Sequence, residues 1–396
     1  AGASEIRLAP FLEKKGLVFF DNGVGLSQAE KDAKNGVVPY VAFFSIGKGT
    51  KQKGDGIGYK CQGSKLCFAS EVVTIVTRSD NDPSWRWKQV QNPKRQLSER
   101  FDLTPAYTDT PWQVLQEDVF AGGDRRTLQL SQMLNEQFFQ KHFKTGTLII
   151  IEGFEVEDYA KYFGNTKQDG YLYNYIRFFT AHGDVRYITT EQGFDATEVN
   201  AFSTHRSRRT PPKFLFGAPS DAMEIPYGWP YLEVNREGSI NSPARVDRLR
   251  DSRFWGRYAG NFVYEDVHFS MILALDGHRR ALTEYSSLGR RGDARSGITL
   301  GSQRGTFLCV QGVRVCSFNE LWTESELEPF AELADNQEHY VFLLDGDFEL
   351  VTNRNAPSPE SKAKLRDPGF LRRIRDFLQV DVPQRDNGTY LAELMQ

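Results

Sequence analysis

The stretch that most constrains this chain is GLVFFDNGVG, residues 16–25, a strand-length apolar run that stops abruptly on an aspartate, an asparagine and two glycines. A carboxylate at the end of a buried strand is costly unless a donor meets it, and the exocyclic amine of a purine is one such donor. Gly23 and Gly25 tolerate positive φ and let a flat ring approach the backbone with no Cβ in the way. The competing reading is local: Asn22-Gly23 alone favours a hairpin turn. Taken by itself the stretch fits that turn better.

A second glycine-rich segment some thirty residues on, GIGYKCQGSKLCFAS at 56–70, shifts the balance. Gly58 and Gly63 bracket a short loop that leads into an expected helix from Gly63. Free N–H groups at such a terminus suit phosphate oxygens, and Lys60 and Lys65 add positive charge. The segment is not a Walker loop, because Gly63 is followed by Ser64-Lys65 rather than by lysine then serine or threonine. A polar stretch, SIGKGTKQKGDGIG at 45–58, also stands where that loop requires a strand. That stretch reads as a mobile loop. A dinucleotide fingerprint starting at Gly56 fails as well, with Cys61 in the third glycine's place.

With 396 residues, two domains are expected, and 39% hydrophobic with 26% charged residues is ordinary for a soluble globular protein. A net charge of -3 gives no global attraction to polyanions, although HRSRR at 205–209 and GRRGDAR at 289–295 are local contact candidates. No apolar run is long enough for a transmembrane helix, and neither a secretory leader nor membrane association is expected. Cys61, Cys67, Cys309 and Cys316 form no C-x-x-C pair. They read as reduced thiols of a cytoplasmic protein, and the scattered histidines read as structural.

Residues 5–9 and 17–21 are expected to form two strands joined by a turn, and 71–79, 84–91 and 146–154 further strands. Ser27 is a candidate N-cap for a helix ending at Gly36, with Glu30 three residues on. Residues 126–143 have helical spacing, and so does YLYNYIRFFTAHG at 171–183. The proline-broken, basic AFSTHRSRRTPPKFLFG at 201–217 suits a domain junction. Beyond it, 261–277, 305–318 and 339–355 read as strand segments, with a closing helix at 367–379. The fold class is α+β.

Taken in order, LVFFDNGVGLS, FSIGKGTKQKGDGIGYKCQGSKL and TGTLIII resemble the three nucleotide boxes of the GHKL ATPases, the superfamily of gyrase B, the large heat-shock chaperones, sensor histidine kinases and MutL. TGTLIIIEGFE is most similar to the microrchidia (MORC) branch and its bacterial stand-alone relatives. The resemblance implies a two-layer α/β sandwich of Bergerat type over residues 1–200, followed by a smaller α+β transducer-like domain over 201–396. It implies Asp21 as acceptor of the adenine amino group, Gly25 beneath the base with Gly23 also in the nucleotide site, and Thr147 supporting that recognition. Gly58, Gly63, Ser64 and Lys65 would line the phosphates. Thr147 also has a plain role as a β-branched strand residue, and Asn22 fits the turn rather than a metal.

Family members carry a glutamate base and a magnesium-binding asparagine on a helix before the first strand. This sequence begins AGASEIRL, so both are expected before Ala1, and neither Glu5 nor Glu30 takes the role by spacing. In the second half Arg354 is the candidate phosphate sensor, with a surface pair to Asp347 as its plain alternative; Lys213 and Arg304 are lesser candidates. The resemblance thus implies ATP and Mg2+ as cofactors. Its leading functional expectation is an ATPase that works as a conformational switch or clamp. Lid closure and homodimerisation would control a bound protein or DNA partner, in a defence or chromatin-like setting. The alternative is a nucleotide-binding scaffold subunit without turnover. A histidine kinase fits less well, since no phosphoacceptor helix precedes the boxes, and nothing singles out a topoisomerase tyrosine.

Overall fold

A computed structural model describes residues 2–11, 14–45, 50, 67–96, 102–121, 130–167, 170–205, 211–217, 222–231, 255–276, 303–337, 340–351, 355–383, 391–392 and 395. It is a mixed α/β structure of two compact units, each assembled from two chain segments: Ala1–Tyr173 with Arg209–Pro226, and Asn174–Arg208 with Tyr227–Gln396. The stretch read as a junction therefore contributes strand to the first unit.

The first unit is organised on a mixed sheet of eight strands: β1 (Glu5–Phe11), β2 (Gly16–Asp21), β3 (Val72–Arg78), β4 (Trp85–Gln91), β5 (Ala106–Thr108), β6 (Gly146–Glu152), β7 (Lys213–Phe216) and β8 (Met223–Ile225). Their order is β5-β4-β3-β6-β2-β1-β7-β8, antiparallel throughout except where β1 meets β7 in parallel. The expected hairpin is present, with β1 and β2 paired from Phe11 opposite Gly16 to Ile6 opposite Asp21.

The run TLIII in β6 lies between β2 and β3 and has no polar face to offer water. Alternation sends Leu148 and Ile150 to one side, with Val18, Phe20 and Val76, and Ile149 to the other, with Val73 and Ile75. On the first side Phe20 meets Phe138 and Phe143 edge-on at centroid distances of 5.0 and 4.6 Å. On the second, the helix Pro39–Phe44 supplies Tyr40 and Phe44.

Several local expectations are corrected. Ser27 caps no helix: its hydroxyl donates to Asp32 at 2.6 Å and accepts from the Ala29 amide. Only one 3-10 turn, Glu30–Asp32, forms there. Asn35 and Gly36 both take positive φ in a tight turn bridged by Lys34 and Val37, which ends any helix. The helical stretch expected to 143 breaks at Asn135, whose side chain accepts from the Phe138 amide and starts a new helix, Glu136–Lys141.

The second unit carries a mixed five-stranded sheet: β9 (Trp255–Tyr264), β10 (Val267–Asp276), β11 (Gly305–Val310), β12 (Val313–Ser317) and β13 (Tyr340–Gly346), in the order β12-β11-β13-β10-β9. The segment read as one strand at 261–277 is a hairpin, because Glu265 and Asp266 both take positive φ without a glycine between them. β13 ends at Gly346, short of the 355 expected, and beyond it Leu350 forms an isolated antiparallel bridge with Pro357. The closing helix, Pro368–Asp376, is capped by Asp367 and inserts Phe370 against Phe262 and Phe269.

Charge is buried in this unit around the β11–β12 turn. Arg186 forks onto Asp184 at 3.0 and 3.1 Å and lies 3.9 Å from Asp345, which accepts the Gly312 amide at 2.7 Å. Burial pushes the Asp345 carboxyl up to about 6, against the opposing pull of Arg186 and the Gly312 N–H. A carboxyl raised on folding stabilises through its protonated form, so this contribution is complete below the ordinary carboxylate range and is lost as pH rises through about 6. Urea titrations of the parent protein are expected to show an extra loss on the order of 2–3 kcal/mol between acid and neutral pH, absent in Asp345→Asn. Parallel pH profiles for the two proteins would contradict the assignment.

Candidate functional site

At one end of the first sheet the apolar rows give way to a polar one. Ile6, Asp21, Thr147, Thr77 and Arg86 are successive cross-strand neighbours on β1, β2, β6, β3 and β4. Alternation places the side chains of Asp21, Thr147 and Thr77 on the face that also carries Ile149 and Ile75. The row thus lines up a carboxylate, two hydroxyls and a guanidinium.

Each member is held differently. Asp21 ends β2 half-buried, and its Oδ1 accepts the Gly23 amide at 2.9 Å. Among the described residues Oδ2 has no hydrogen-bond partner. Burial pushes the Asp21 carboxyl up, and the Gly23 N–H opposes that shift. Thr147 is buried, and its side-chain hydrogen-bond partner among the described residues is the Thr77 hydroxyl at 3.5 Å. Thr77 donates to the Gly146 carbonyl and accepts the Leu26 amide, both at 2.8 Å. Arg86 is 2% exposed and holds the Leu26 carbonyl at 2.8 Å while pairing with Asp82, which also takes the Ser79 amide. Its guanidinium lies 5.8 Å from the Tyr40 ring, whose own hydroxyl is buried with no partner among the described residues.

Leu26 is therefore fastened at both its amide and its carbonyl, and this fixes the loop after β2 over the end of the row. Gly25 makes that course feasible: its φ is +71°, and a Cβ there would collide with the Arg78 carbonyl. Gly146, at φ +131°, similarly leaves room for the Asp21 carbonyl.

The structure thus brings Asp21, Gly23, Gly25 and Thr147 to one strand end. Gly58, Gly63, Ser64, Lys65 and Arg354 lie outside the described residues, as do most of both basic clusters. Asn22 is committed locally, its Oδ1 accepting the Ser4 and Glu5 amides at 2.8 Å each. Lys213 stands exposed on β7, 3.2 Å from Glu224 of β8. Arg304 is in the second unit. Sequence reasoning missed Thr77, Arg86 and Gly146. The signal was there in VVTIVTR, since a threonine at a wholly buried strand position needs a partner for its hydroxyl.

Among the described residues no group of three or more His, Cys, Asp or Glu side chains is placed to hold a metal ion, and no helix is long and apolar enough to cross a membrane. No family model matches the chain, and no curated protein matches its sequence.

Thr77→Val keeps the shape but leaves the Leu26 amide without a partner, so a loss of about 1–3 kcal/mol is expected in denaturant unfolding. Stability unchanged within error would mean that the loop is held by other contacts.

Proposed function

We propose that the first unit binds an adenine nucleotide at the Asp21 strand end. The observation that carries this reading is the juxtaposition of an open carboxylate oxygen, Asp21 Oδ2, with the Thr147 hydroxyl across one β-ladder step, beside a loop with no side chain at Gly25. A half-buried acceptor and an adjoining hydroxyl match the amino and ring-nitrogen edge of a purine. Ile149, half-buried on the same face, gives the flat base an apolar contact. These residues fit the adenine end of ATP. The phosphate-binding and metal-binding roles fall to Gly58, Gly63, Ser64 and Lys65 and to groups beyond the described residues.

When bound, ATP supplies the phosphoanhydride whose cleavage drives a conformational cycle. Asp21 and Thr147 act on the base alone, orienting it and excluding water from its edge. The favoured cellular reading is a GHKL-type ATPase switch or clamp that dimerises around a protein or DNA partner. A second reading, nucleotide binding without turnover, draws on one observation. Asp82, the carboxylate that pairs with Arg86 of the row, is already committed to Arg86 and Ser79.

Calorimetric titration of ADP and of a non-hydrolysable ATP analogue, with and without magnesium, is expected to give saturable binding that Asp21→Asn weakens about tenfold to a hundredfold. Equal affinity in parent and variant, or no binding by either, would remove the reading. Phosphate release by the nucleotide-binding protein then separates the ATPase from the scaffold.

A further inference from the structure

The second unit contains a pocket that the nucleotide reading does not use. It has a volume of about 430 Å³ and is lined by Phe179, Arg304, Phe307, Arg314, Asn319 and Gln337 among others, with two arginines and, among the described residues, no carboxylate in the lining. Its volume suits a small organic ligand.

Arg314 is the anomaly. It sits on β12 at 4% exposure, yet no carboxylate pairs with it among the described residues, and its Nη1 is buried with no hydrogen-bond partner. The Phe179 and Phe307 rings lie 4.3 Å from the guanidinium carbon. Ring contacts at that distance compensate only part of what the cation loses on leaving water. They offer its N–H groups no acceptor. Burial lowers the Arg314 pKa to about 10, so the group remains cationic at neutral pH.

The polar wall opposite is pre-set. Asn319 accepts the Thr306 amide at 2.7 Å and donates to Gln337 at 2.8 Å, and Gln337 donates to the Ala334 carbonyl. Each amide keeps a second N–H. The lining is thus rich in donors and cations and carries apolar rings.

We propose that this pocket is an anion site, in which Arg314 binds the phosphate or carboxylate of a small molecule whose apolar part lies along Phe179 and Phe307. The oxyanion supplies the in-plane acceptor that the guanidinium fork lacks, with Arg304 adding a second positive charge to the wall. Recognition is of an anion joined to an apolar body, because rings and guanidinium share the same lining.

The test is thermal melting and calorimetry of the full chain with phenyl phosphate, benzoate, inorganic phosphate and uncharged phenol as probes. Phenyl phosphate or benzoate is expected to raise the melting temperature and bind saturably, more tightly than inorganic phosphate and far more tightly than phenol. A stronger response to phenyl phosphate identifies a phosphate ligand, and a stronger response to benzoate a carboxylate. Arg314→Met exchanges a buried unpaired charge for an apolar chain of similar length and is expected to fold and to lose the response. Arg314→Lys keeps the charge without the planar fork, and is expected to weaken binding about tenfold or more. Should the methionine variant not fold, the lysine variant decides. No response to either anion at millimolar concentration, undiminished binding in a folded variant, or phenol binding as well as phenyl phosphate would each overturn the proposal.

Discussion

A strand with apolar side chains on both faces can meet polar chemistry only where it stops. β6 is such a strand: Leu148 through Ile151 face protein on either side, with β2 and β3 fixed against its edges. The residues in register with its first positions, Asp21 on β2 and Thr77 on β3, therefore stand where a hydroxyl and a carboxylate can gather at the strand end. The location of the candidate site follows from the packing of β6, and the loop after β2 follows from the site, since Leu26 is anchored to Thr77 and Arg86. Steric room at Gly25 and Gly146 is a precondition of both.

The second unit handles buried charge in two contrasting ways. Around the β11–β12 turn, Asp184, Arg186 and Asp345 satisfy one another, and Gly312, which has no Cβ to strike the Asp184 carboxylate, donates its amide to Asp345. That cluster closes on itself and reads as structural. Arg314, one strand-length away in sequence, faces rings where a carboxylate is expected. The difference between a cation with its counter-charge supplied and one without it is what separates a structural network from a binding pocket.

Strands were legible in the sequence wherever a β-branched or aromatic run was bounded by turn residues, as in β2, β3, β4 and β6. Turn chemistry was less legible. Gly36 was read as a helix stop when with Asn35 it closes a tight turn, and Glu265-Asp266 turns a hairpin with no glycine to announce positive φ. Asn135 divides a helical stretch because its side chain competes for the backbone, an effect that periodicity does not register. Of the candidate site, Asp21 and Gly25 stood out through strand-end position and glycine spacing, and Thr147 through the family resemblance. Thr77 and Arg86 did not, because their roles depend on cross-strand register, and register is set by long-range pairing. Arg314 gave no signal at all: an arginine alternating with valines on a short strand looks like an outward-facing residue until its neighbours are placed.

The pairing of β1 with β7 bears on how the chain is made. β7 is encoded after Asn174–Arg208, which belongs to the other unit, so the first sheet lacks two of its eight strands until synthesis has passed residue 225. Until β7 has been made, the outer edge of β1, from Glu5 to Leu8, presents unpaired backbone groups that any extended segment can occupy. A nascent or truncated chain ending near residue 200 has an open sheet edge, and its solubility rests on what covers that edge in the interval.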